Sequence, residues 1–209
     1  MKQTQAGQPE RFVQHALWLE YATVSWNVIE AFVAIGAGWL AGSIALVGFG
    51  LDSIIEVIAA SVLIWRLRCE LSCRHDTHEQ AEQRALRIVG VTFFLLAAYV
   101  TYEAGVILWR REAPQVSVPG LVLAVLSASV MPFLGLRKRH VARHLGSKAL
   151  AADAMETLIC AYLSVTLLVG LGLNASLGWW WADPVAALLM LPLIIKEGWE
   201  AITEGPEGS

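Results

Sequence analysis

Asp52 and Glu56 stand four residues apart in "GFGLDSIIEV", within a segment that is otherwise apolar from Ser43 to Trp65. On a helix that spacing puts both carboxylates on one face, one turn apart, where like charges repel. A divalent cation bound between them removes the repulsion. The stretch "ADAMETLIC" repeats the spacing with Glu156 and Cys160, and Asp153 lies one turn earlier on the same face. Two helices that each offer such a pair can close four ligands around one metal ion. The competing reading makes Asp52 and Glu56 protonated acids hydrogen-bonded across helices, and Cys160 a small apolar residue.

A second cluster lies in "CELSCRHDTHE", where Cys69, Cys73, His75 and His78 fall close together with Asp76 and Glu79 between them. Thiolates and imidazoles at such density suit zinc-like ions, although the spacing is not that of a zinc finger. A solvated loop is the alternative. Asp183 precedes Pro184, the pattern of an N-cap followed by a first-turn proline. Glu103 either pairs with Arg110 or Arg111 or faces the other helices. The run Arg137, Lys138, Arg139, His140 reads as an orientation signal and a lipid headgroup contact.

The elements that position these groups follow from composition. The 209 residues are 56% hydrophobic and 16% charged, against about 25% charged in soluble domains. Runs of about 20 apolar residues, enough to cross roughly 30 Å of hydrocarbon, occur at 16–40, 43–66, 87–109, 117–136, 150–173 and 183–200. The predicted fold is an all-α membrane protein of six transmembrane helices filling 16–200. A cytoplasmic segment 1–15, unlike a cleaved signal peptide, would precede them and a short cytoplasmic tail 201–209 would follow. With the N-terminus inside, Arg110 and Arg111 are the outer ones among the 15 basic residues, so both termini are predicted to be cytoplasmic, in the cell (inner) membrane. Tryptophans at 39, 109 and 179–181 mark outer ends, and those at 18, 65 and 199 inner ends, with Trp26 deeper. Pro132 should kink the fourth helix. Gly48 and Gly50 would let another helix approach beside Asp52. None of Cys69, Cys73 and Cys160 is placed for a disulfide. No basic, aromatic-interleaved surface suggests nucleic acid.

"GSIALVGFGLDSIIEVIAASVLIW" resembles the second transmembrane helix of the cation diffusion facilitator family. "ALAADAMETLICAYLSVTLLVG" is similar to that family's fifth helix, "ADPVAALLMLPLIIKEGWEAI" to its sixth, and "HEQAEQRAL" to the segment leading into its third, at His78 and Glu82. The resemblance covers nearly the whole membrane portion. It implies a dimeric transporter, not an enzyme, that carries a divalent transition metal out of the cytoplasm in exchange for protons, with Asp52, Glu56, Glu156 and Cys160 as ligands.

Glu56, Glu156 and Cys160 replace the Asp, His and Asp usual in the family, so its metal preference does not transfer. The resemblance is to a short branch of the family, for which the C-terminal cytoplasmic domain would be expected to be lacking. A homodimer would then be held by the membrane helices or loops. Glu30, with Asn27 one turn before it, lies outside the usual ligand set and is an added ligand, a proton carrier or a second-layer partner. No prosthetic group is implied. The ligand chemistry favours zinc as cargo, with cadmium, cobalt, iron and manganese also admitted. Two rivals stand beside this reading. One is a proton-coupled small-molecule antiporter without metal, using Glu30 and Asp52. The other is an intramembrane metal-dependent enzyme, for which no H-E-x-x-H signature appears.

Overall fold

Short turns end one long helix and start the next at three of the joints, and the two helices at each of those joints run antiparallel and pack on one another. Gly42, at φ 67°, turns helix α1 (Gly7–Ala41) into α2 (Ile44–Leu71). The left-handed backbone suits a residue without Cβ. Helix α3 (Glu79–Arg110) is followed by α4 (Val118–Leu145), whose N-cap Ser117 accepts from the Gly120 N–H. Gly146 ends α4 and Ser147 caps α5 (Lys148–Leu177), which Gly178 closes before α6 (Ala182–Thr203). The computed structural model describes residues 7–71, 79–111 and 115–203. Among these residues there is no strand.

Helix α2 is central, packing against α1, α3, α5 and α6; α1 also packs on α4, α4 on α5, α5 on α6, and α6 on α3. The core runs through all of them, from Ala34 and Phe49 to Leu96, Met131, Leu167 and Met190. A smaller cluster of Val13, Leu67, Val141 and Leu150 closes the opposite end from Trp39 and Trp109. The close approach expected beside Asp52 is present. A Cβ on Gly50 would lie 2.8 Å from Ile35 Cγ1 and 3.0 Å from the Ala34 Cβ, while one on Gly48 would reach Val100 of α3. Glycine there lets α1 and α2 touch backbone to backbone.

Helices α1 to α5 each contain a stretch long and apolar enough to cross a membrane, which makes the chain an integral membrane protein. The sixth helix is the more polar case. Helix α6 has 22 residues, roughly 33 Å at 1.5 Å per residue, but it carries Asp183, Lys196, Glu197 and Glu200. Its length suffices, and its charge keeps it from the apolar standard the other five meet. Helix α4 continues on both sides of Pro132, and α6 on both sides of Pro192.

Candidate functional site

The helix faces of α2, α5 and α6 converge on a cavity lined by Asp52, Glu56, Glu156, Cys160 and Glu197. Phe93, Leu163, Leu193 and Ile194 supply apolar wall. The space open to the centre of a water-sized sphere is about 20 Å³, room for roughly one such sphere. All four sequence-predicted ligands therefore face one small volume. In this conformation no three His, Cys, Asp or Glu side chains among the described residues come close enough together to hold one ion. The donors surround the cavity without closing on a point.

Glu56 is the least satisfied of them. It is 7% exposed, and neither carboxylate oxygen has a hydrogen-bond partner. Asn27 of α1 and Cys160 stand beside it, yet neither contact meets hydrogen-bond geometry, and both amide atoms of Asn27 are unpartnered as well. An unsatisfied buried polar group costs about 1–3 kcal/mol, and more if charged. Buried polar atoms without a partner are uncommon, and a water or an ion in the cavity would satisfy these.

Glu30 lies behind the cavity wall. It is fully buried and accepts hydrogen bonds from Ser127 of α4 and, at 3.1 Å, from Ser53 of α2. Trp26 donates to the same Ser127 hydroxyl at 3.2 Å, which accounts for the one tryptophan set deep in the bundle. Glu30 is thus a linker of α1, α2 and α4 outside the cavity lining.

Asp153 shares a helix face with Glu156 but turns away from the cavity. The Lys138 ammonium contacts it at 2.5 Å and Glu20 of α1 at 3.0 Å, and donates to the Thr157 hydroxyl at 3.3 Å. Lys138 has no exposed surface. The expectation of a headgroup contact is corrected for this residue: a cation inside the basic run is drawn inward by two acids of other helices, while Arg137 and Arg139 remain exposed. Glu20 was not among the acids singled out from the sequence, because it sits in the first turns of a span where a charge reads as interfacial.

Asp183 also corrects its expected role. It is buried, accepts the Ser43 hydroxyl and takes the Ala45 N–H at 3.3 Å. Its carboxylate therefore caps the N-terminus of α2, across the bundle, rather than that of its own helix. Of the loop cluster, Cys73, His75 and His78 and the side chain of Cys69 lie outside the described residues.

Glu197 is the cavity residue that sequence reasoning passed over. The available signal was helical register: Leu193 and Ile194, three and four residues before it, line the same cavity, so an acid follows an apolar stripe on one face.

Long apolar helices around a buried, acid-lined cavity define an integral membrane protein with a polar centre. A model of the cation efflux transmembrane domain matches residues 21–205. The chain belongs to the cation efflux family, the cation diffusion facilitators that its helix motifs resemble. Transmembrane protein 163 of Xenopus laevis is 23% identical over 192 residues, covering 90% of this chain and 66% of that protein. An uncharacterized transporter of Synechocystis sp. is 25% identical over 174 residues, covering 80% and 56%. A cadmium, cobalt and zinc/H(+)-K(+) antiporter of Bacillus velezensis is 27% identical over 191 residues, covering 84% and 58%. The chain spans between 56% and 66% of the length of these relatives.

Proposed function

We propose that the protein is a divalent transition-metal transporter, with zinc as first cargo, that exports metal from the cytoplasm by proton antiport and alternating access. The observation that carries this reading is the acid-lined cavity of α2, α5 and α6, with the unpartnered Glu56 carboxylate among its acids. Family membership and the antiporter named among its relatives support it. Asp52, Glu56, Glu156 and Cys160 are the ligands proposed for the cargo.

The coupling follows from acid–base chemistry. Carboxylates and a thiol must shed protons before they hold a metal, so binding one cargo expels the other. An ion offered from the cytoplasm displaces protons; exposure to a more acidic exterior returns protons and releases the ion. The apolar walls of Phe93 and Leu193 give an ion in the cavity few donors besides the acids and Cys160, which ties its release to their protonation.

The basic residues support an orientation with both termini cytoplasmic, in the cell membrane, and a homodimer would pair through the membrane helices. Exposed apolar side chains such as Phe32, Tyr102, Leu126 and Val169 leave surface for lipid or for a second copy.

Flux tests the proposal. Wild-type protein in liposomes should move Zn(II) across the membrane when an opposing proton gradient is imposed, and Asp52→Asn should lose that flux while keeping its elution profile in detergent. Undiminished metal flux in Asp52→Asn would sink the site. Calorimetry with no heat for any divalent ion would favour the metal-free antiporter instead.

A further inference from the structure

Helix α6 brings its own acid to the cavity. Glu197 is 9% exposed and shares the cavity with the two acids of α2 and the Glu156 and Cys160 of α5. Its register is set by Leu193 and Ile194, which wall the same space, so the carboxylate extends the cavity face of α6 by one turn. An acidic cluster alone does not make a site. Here a second observation points to a ligand: Glu56, more than nine-tenths buried, faces the cavity with both oxygens unpartnered.

On the reading that this cavity takes a divalent cation, we propose that Glu197 is a fifth donor of the cargo site, supplied by α6, and that it widens the range of ions accepted. With Glu197 the donor set becomes four carboxylates and one thiol, drawn from three helices. Zinc is content with four ligands in a closed tetrahedron. Mn(II) prefers oxygen donors and up to six of them. A five-donor set rich in carboxylate therefore admits Mn(II) beside Zn(II), whereas the Asp52, Glu56, Glu156 and Cys160 set by itself favours Zn(II). The remaining wall, including Ala59, Phe93, Ile159 and Leu163, has no side-chain oxygen to replace the one Glu197 provides.

The test is calorimetric titration of the detergent-solubilised full chain with Zn(II) and with Mn(II), for wild type, Glu197→Gln and Asp52→Asn. Glu197→Gln should weaken Mn(II) binding at least tenfold and Zn(II) binding by a smaller factor, so the ratio of the two affinities rises. Glu197→Asp, which keeps the charge on a shorter arm, should move the ratio in the same direction by less, and it serves if the glutamine variant does not elute as folded protein. Unchanged affinities in the Glu197 variants, beside a loss in Asp52→Asn, overturn the role of Glu197 and leave the metal site standing. Wild type that binds Zn(II) but not Mn(II) also overturns it. Wild type that binds neither ion overturns the metal reading itself, and the role of Glu197 with it.

Discussion

Replacing Lys138 by methionine should be among the most destabilising single changes in the bundle. The ammonium has no exposed surface and sits 2.5 Å from Asp153 and 3.0 Å from Glu20. At an effective permittivity of about 20, the gross attractions are about 7 and 6 kcal/mol. Desolvation of the three groups offsets most of this, but removing the cation alone leaves two acids facing each other in a buried site. Breaking a buried pair in that way costs about 3–5 kcal/mol. For a chain of this size, with about 2–4 °C lost per kcal/mol, the thermal midpoint should fall by roughly 6–20 °C. The control separates charge from packing. In the triple variant Lys138→Met, Glu20→Gln, Asp153→Asn no charge remains to be stranded, and most of the loss should be recovered, since a buried ion triad is often no more stable than neutral groups of similar size. Thermal unfolding in detergent followed by light scattering or intrinsic fluorescence reads both. A midpoint for Lys138→Met within 2 °C of wild type, an interval below the ~6 °C lower bound, would refute the reasoning. So would a triple variant that melts no higher than the single one.

Other outcomes follow from the same geometry. Ser43→Ala should cost about 1 kcal/mol by removing the hydroxyl that joins the α2 N-terminus to Asp183, read as a lower unfolding midpoint. Gly50→Val should separate α1 from α2, because its first side-chain atom already meets Ile35 at 2.8 Å; about 1–3 kcal/mol of overpacking would appear as a loss of folded yield. Ser127→Ala removes a donor to Glu30 and the acceptor of Trp26, so a cost of about 1–3 kcal/mol and a shifted tryptophan emission are expected. Metal affinity should fall as pH falls, since protons compete for the same carboxylates and thiol; Zn(II) calorimetry at stepped pH with unchanged affinity would contradict the coupling.

The sequence by itself determined the solvent of this protein and the period of its elements. Apolar runs of membrane-spanning length have one stable backbone solution in lipid besides a closed barrel, so the helices were legible before any contact was known. The i, i+4 pairs at Asp52 and Glu56 and at Glu156 and Cys160 were legible too, because helical geometry fixes which residues share a face. What a face meets is not written in its own helix. Lys138 reads as an interfacial cation until α1 and α5 place Glu20 and Asp153 around it, and Asp183 reads as the cap of α6 until the bundle sets it against the start of α2. Glu197 joined the cavity for the same reason. Its register beside Leu193 and Ile194 put it on their face of the helix, but only the packing of α6 on α2 and α5 decided that this face lines the cavity.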